Sequence, residues 1–587
     1  MKSRTSSFNT ALRKNITRFA PCWVLYTIGN VMALLLMMQD NSHWFAQSIG
    51  DWILAMPILN LGYALLVALL LFGDLFNSRM CNALHAMPLR RESWFTANVI
   101  AGILFSVIPM VVTAAIAVPV LASSNVENGW QIPLFWLLGG NLSYLSFFGI
   151  AVLCIHLTGN RFATAVVYGI INFAAVILYW LVDTLYTPMI YGVRTWADPF
   201  FRLTPVVHMM EAEYLDVTRV NIDIPNGPSY FTLSTQWWRL GVWAAVGLLC
   251  LATALLLYRK RKLECAGDFM AFRKMEPVFL IVYTLIVGTC FQFFASNIIG
   301  LFGDLLYLFV GLIVGWFTGK MLLTRTLRVF RWKSIGGCLL TLAVMGLSLV
   351  LTAVDIFGIE SWVPQVSEVE TAYVSMGYSY NGRIPADGVK VTDPGDIEKL
   401  LYVHEHSIQP PEYRDPIMVT TETWYGEEVN AWLDREFNFT LCYQLKNGRL
   451  VYRYYTAYAD TDIGEILGPW FSTVPVVTGM QEDELQEVVD SAYWTYLEGV
   501  ELQLTKAQMQ DLMDAIIADC HAGNMIQRTA FHDEACFSRH FSVEFSYSGE
   551  DRANRWMHVT VYPCCENVYQ WMDENDMWPI LEEAPYK

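Results

Sequence analysis

For its first 356 residues the chain alternates long apolar runs with short polar breaks. Crossing ~30 Å of hydrocarbon takes about 20 mostly apolar residues in a helix. Nine segments meet that requirement: Phe19–Met38, Trp52–Phe72, Val99–Ala122, Pro133–Leu157, Ala163–Leu185, Trp237–Tyr258, Pro277–Phe294, Leu301–Met321 and Ile335–Asp355. Pro57, Pro109 and Pro119 fall inside them, where neighbouring helices can satisfy the backbone groups that proline frees. The first segment does not read as a cleavable signal, being too long for an h-region and followed by MMQDNSH with no small-x-small site.

After Asp355 the pattern turns soluble. FNFTLCYQLKNGRLVYRYYTAY, 437–458, alternates apolar and polar residues around Asn447-Gly448, which predicts a hairpin. VKVTDPGDIEKLLYVHEH predicts a short strand and then a helix capped by Asp393, with Ile397, Leu400, Leu401 and His404 on one face. The order returns in VELQLTKAQMQDLMDAIIADC, capped by Thr505, followed by the strands FSVEFSYS and WMHVTVY. We read two related strand–helix–hairpin units.

Composition fits this division. The chain is 54% hydrophobic and 16% charged, well below the ~25% charge of soluble proteins. Residues 1–356 carry 24 basic and 16 acidic side chains, whereas 357–587 carry 14 and 39, a net charge of −25. Phosphate repels so acidic a domain, which argues against a nucleic-acid partner. With the N-terminus inside, the cytoplasmic flanks hold 20 Lys and Arg against four on the other side, a strong orientation signal. An odd number of spans then puts the last 230 or so residues outside the cytoplasm. The expected fold is a polytopic α-helical membrane protein of about nine transmembrane helices, N-terminus cytoplasmic, in the lipid bilayer of a cell membrane. It ends in an acidic, extracytoplasmic α+β domain over 357–587.

Charges within the spans are scarce. Asp183 and Asp304 lie near span ends, where they reach water. Asn30, Asn141, Asn172 and His156 read as interhelical hydrogen-bonding groups. No chain of ionisable residues suggests a proton relay.

Two cytoplasmic loops carry more pattern than anchoring demands. DLFNSRMCNALHAMPLRRESWFTAN, 74–98, predicts a short helix with Leu75, Met80, Leu84 and Met87 on one face before Pro88. YRKRKLECAGDFMAF, 258–272, runs four basic residues into E-x-A-G. The stretch from His85, HAMPLRRESWFTANVIAG, resembles the first cytoplasmic loop of ABC-2-type permeases of Gram-positive bacteria. Arg259, Lys260, Arg261, Lys262, Glu264, Ala266 and Gly267, with Ala271 and Phe272, resemble a second marker of that family. The resemblance implies a permease whose first loop docks on a separate ATP-binding subunit, with a second permease copy or paralogue beside it. Asn77, Arg79, His85, Pro88, Arg90 and Arg91 would form that coupling element, its arginines pairing with partner carboxylates or anchoring the loop. It also implies a six-helix core over about 1–262, with 275–356 an extension that smaller members lack, and a cap of short re-entrant helices where TPVVHMMEAEYL stands.

No Walker A motif is present; GWFTGKM, 315–321, has the wrong glycine spacing and Met after Lys. No cofactor is expected on this chain, ATP and Mg being the partner's. Nor is enzyme chemistry expected: His404 and His406 lie on different sides of a helix, His532, Asp533, Glu534 and His540 read as a polar loop, and no nucleophile elbow occurs. Cys442, Cys520, Cys536, Cys564 and Cys565 show no disulfide-framework spacing. The function implied is a permease, an exporter of a lipophilic or peptide-like compound. The alternative is a membrane-anchored extracytoplasmic sensor.

Overall fold

The computed structural model describes residues 2–38, 42–86, 91–123, 126–193, 201–210, 214–219, 229–233, 235–300, 303–376, 388–422, 428–497, 499–526, 529–531, 540–548 and 554–583. They form two units, Met1–Val182 with Pro199–Leu347 and Asp183–Asp198 with Ser348–Lys587. The first contains α1 (Lys2–Arg18), α2 (Ala20–Met37), α3 (Ser42–Leu71), α4 (Ser78–Ala86), α5 (Arg91–Ala122), α6 (Ile132–Leu157), α7 (Arg161–Leu181), α8 (Trp238–Lys260), α9 (Glu276–Ile298), α10 (Asp304–Thr324) and most of α11 (Trp332–Ala353). Among the described residues nine of these, all but α1 and α4, are long and apolar enough to cross a membrane, which fits a multi-pass membrane protein.

The central helix is α6: 72% of its apolar window is buried, against at most 44% for any other. Its neighbours approach closely where side chains vanish. A Cβ on Gly149 of α6 would stand 2.1 Å from the Gly247 carbonyl oxygen of α8. Between these helices run neutral hydrogen bonds. Tyr26 donates to Asn60 Oδ1 at 2.7 Å, and Asn60 donates to Ser143 Oγ at 2.7 Å and to the Gly140 carbonyl at 3.0 Å. Tyr63, Tyr144 and Tyr168 donate to the carbonyls of Phe105, Gly102 and Leu61, each at 2.9 Å. Bonds of this kind contribute about 0.6–2 kcal/mol each in an apolar surround. Of the four polar groups expected to bridge helices, Asn141 does so, accepting from Ser106 at 2.9 Å. Asn30, Asn172 and His156 instead bond carbonyls one turn back on their own helices, which an amide or imidazole reaches without a neighbour. Within TPVVHMMEAEYL the described residues include a six-residue helix, Pro205–Met210, whose His208 accepts from Trp243 Nε1 at 3.1 Å.

The second unit contains two four-stranded antiparallel sheets. Numbering their strands β1 (Val369–Ser375), β2 (Val389–Val391), β3 (Glu436–Leu445), β4 (Leu450–Tyr458), β5 (Ala492–Leu497), β6 (Val500–Leu502), β7 (Phe541–Ser548) and β8 (Asn554–Val561), the orders are β2-β1-β3-β4 and β6-β5-β7-β8. Each sheet places its second strand outside its first, and each inserts a helix before its third: α12 (Pro394–His406) and α14 (Lys506–Ala522), with α13 (Asp462–Phe471) joining the halves. The two halves therefore share one topology. β1 and β5 precede the short strands predicted from the pattern, and a separate hairpin, Ile417–Glu422 with Glu428–Leu433, adds to the first half. Asp393 caps α12 by accepting from the backbone of Gly395 and Asp396 at 2.9 and 3.2 Å, and Thr505 caps α14. The turn at Asn447-Gly448 joins β3 to β4, with Gly448 at φ 78°.

His404 of α12 lies fully buried, stacked at 5.5 Å on Tyr443, and neither ring nitrogen has a hydrogen-bond partner among the described residues. Burial, with Arg453 nearby, lowers its pKa to about 3. The unfolded chain takes up this proton near pH 6.5. The unfolded state thus binds more protons between pH 6.5 and 3, and stability falls as pH drops through that window. His404→Phe keeps the ring and removes the titration. Thermal unfolding of the wild type should therefore lose up to ~1.4 kcal/mol per pH unit relative to the variant on acidification. Parallel profiles would contradict this; the comparison also separates His404 from Glu360, whose pKa is raised by burial and by Asp355.

Candidate functional site

The described residues singled out from the two loops lie at one end of the first unit. Leu75 is buried in a 3-10 turn, Gly73–Phe76, and Asn77 follows in extended conformation as the cap of α4. Its side-chain oxygen accepts from the backbone of Arg79 at 3.0 Å and of Met80 at 3.4 Å. The short helix buries Cys81 and leaves Arg79 and Met80 exposed, Met80 at 46%. Met80 thus departs from the predicted apolar face, because the helix begins one residue after Asn77 and Cys81 takes the inward position. His85 falls within α4, with its side chain outside the described residues, as are Pro88 and Arg90. Arg91 opens α5, and the next residue, Glu92, pairs with Arg259 of α8 at 2.9 Å. Both partners are about half exposed, so this pair contributes at most ~1 kcal/mol.

The basic run does not act as one block. Helix α8 ends at Lys260, and Arg261 leaves it in extended conformation, which turns its side chain inward. Lys260 and Lys262 stay exposed, while Arg261 is only 7% exposed. Its Nη1 donates to the Ile155 carbonyl at the end of α6 at 2.6 Å and its Nε to Cys265 Sγ at 3.3 Å, whereas Nη2 has no partner among the described residues. Cations at a helix C-terminus meet the negative end of its dipole. Burial pushes the Cys81 thiol up, and the positive charges of Arg261 and Arg91 act against that shift.

E-x-A-G then works through its backbone. Gly267, at φ 99°, donates to the Gly159 carbonyl at 2.6 Å, and Ala271 donates to Leu157 at 2.8 Å. Asn160 caps α7 through its side-chain oxygen and donates to the Asp268 carbonyl at 3.2 Å. Asp268 meets Arg325, beyond α10, at 3.2 Å. Ala266 is partly buried, and Glu264 is exposed with no ion pair among the described residues. The result is a platform made from the ends of α5, α6, α7 and α8, edged by α4.

No known protein family, curated protein or solved structure matches the chain.

Sequence reasoning missed Gly159, Asn160 and Asp268 as parts of this platform. Asn160 ahead of an apolar run is a cap signal that was available. The backbone docking had no local signal. Elsewhere, the described residues hold no group of three or more His, Cys, Asp or Glu arranged for a metal ion, and His532, Asp533 and Glu534 lie outside them.

A Cβ on Gly159 would sit 2.2 Å from the Cys265 carbonyl oxygen and 2.5 Å from that of Asp268, backbone that cannot swing aside. Gly159→Ala should undock the loop and expose Cys265, now 7% exposed. Peptide mapping after thiol labelling of the purified protein should show Cys265 reacting at least about tenfold faster than in the wild type, since accessibility governs thiol reactivity. Equal rates would contradict the docking.

Proposed function

We propose that the chain is the membrane-spanning permease subunit of an ATP-driven transporter, energised by a separate ATP-binding subunit that docks on the platform of α4 and the 261–271 loop. The observation that carries this reading is the meeting of two distant loops in one hydrogen-bonded surface. Transmitting force from a partner to several helices needs a stiff contact that touches the ends of all of them. Arg79, Met80, Lys260, Lys262 and Glu264 supply exposed charge around one exposed apolar side chain, a composition suited to a protein partner. On the orientation given by the basic flanks, this surface faces the cytoplasm and the acidic domain lies outside the cell membrane. A second permease copy or paralogue would complete the transporter.

The interior of the helix bundle supports an uncharged path. Tyr26, Asn60, Tyr63, Ser143 and Tyr144 offer neutral hydrogen-bonding groups among apolar side chains. A lipophilic or peptide-like compound suits such a lining, and export is the direction that matches the family resemblance. The sensor reading draws on the size of the outer domain.

Arg79→Glu with Met80→Glu changes two exposed side chains and leaves the Asn77 cap in place. Affinity purification from native membranes should recover an ATPase with the wild type and lose at least 90% of it with the variant, at unchanged permease yield. An equal amount of ATPase with both would remove α4 from the docking surface. Recovery of a histidine kinase instead of an ATPase would favour the sensor.

A further inference from the structure

A cleft of about 790 Å³ opens in the second unit along the seam between its two halves. One wall is α13, with Ile526 and Phe531, which pack with the first sheet's core. The other is the C-terminal end of α14 and the 481–482 turn, which belong with the second core. Binding sites favour such seams, and this volume lies within the ordinary range for small-molecule pockets. The floor is apolar. Gly468 leaves room there, since a Cβ on it would meet the Phe531 ring at 3.6 Å, an ordinary contact.

The carboxylates at the rim are Glu465 and Glu482. Glu465 is exposed and has no ion pair among the described residues, and Glu482 carries the second carboxylate. The one cationic candidate among the lining residues, His521, already sits 3.1 Å from Glu482. The end of α14 adds the negative pole of a 17-residue helix. The surrounding domain carries a net charge of −25 over 357–587. A carboxylate or phosphate ligand would be repelled, and a wholly apolar one would leave the rim unused.

We propose that this cleft binds a lipophilic cation, an ammonium or guanidinium head at Glu465 and Glu482 with its apolar body against Gly468, Ile526 and Phe531. The head could belong to a free amine or to a lysine in a short peptide; the chemistry recognised is the same. This assignment stands apart from the transporter reading, since it rests on the outer unit alone.

The test is calorimetric titration of the full-length protein in zwitterionic nanodiscs, with empty nanodiscs subtracted. The probes are 4-phenylbutylammonium, its alcohol and carboxylate analogues, and the peptide acetyl-Phe-Lys-Phe-amide. The cation or the lysine peptide should bind, and the alcohol and carboxylate should bind at least tenfold more weakly. Glu465→Gln with Glu482→Gln should weaken binding at least tenfold with unchanged Tm. Gly468→Leu, which fills the floor, should abolish it. Binding by the amine points to a free ligand, and binding by the peptide alone to a peptide one; either supports the site. No binding by both up to millimolar concentration, equal binding of the alcohol, or indifference to all three substitutions would overturn it.

Discussion

The docking of one backbone segment on another, 261–271 against 157–160, is the constraint on which the basic end of the helix bundle depends. Gly267 can present its N–H to Gly159 only at a positive φ, and Gly159 can accept that approach only without a side chain. Arg261 reaches the end of α6 because the chain turns there at once. A buried guanidinium is expensive unless paired or hydrogen-bonded, and the Ile155 carbonyl with the helix dipole offsets much of that cost. The ends of α6, α7 and α8 thereby meet at one loop, and the Glu92–Arg259 pair ties in the start of α5.

Much of the fold was legible in the pattern of apolar residues, because a helix of about 20 such residues leaves a signal no loop imitates. All nine long helices among the described residues fall where the runs fall. Their ends do not, and the reason is plain in α5, which begins at Arg91 rather than Val99: a helix continues through polar residues that hydropathy cannot count. β1 was invisible for the opposite reason. It is covered on both faces, so VETAYVS loses the alternation that marks a half-exposed strand. The capping residues Asp393 and Thr505 were legible because their chemistry is local.

The site was legible in part. Four consecutive cations read as a single anchor, yet Arg259 pairs with Glu92, Arg261 is buried, and Lys260 and Lys262 face outward. That division follows from where α8 stops, a fact of one residue that composition does not carry. Likewise the two sheets with one strand order could be sensed from recurring strand and helix signals, but the cleft at their seam belongs to tertiary structure. Half the chain is thus a helix bundle joined by neutral hydrogen bonds with basic residues at one end, and the other half an acidic domain with two sheets of one strand order.

The proposed orientation would tie these halves to a biological role, and impermeant maleimide labelling of intact cells tests it most directly. Lys262→Cys and Tyr413→Cys each replace an exposed side chain, Tyr413 being 72% exposed. The proposed orientation predicts that Tyr413→Cys gains label over the wild type in intact cells, and that Lys262→Cys gains it only after permeabilisation. Labelling of Lys262→Cys in intact cells, with Tyr413→Cys protected, would contradict it and remove the platform from any cytoplasmic ATPase.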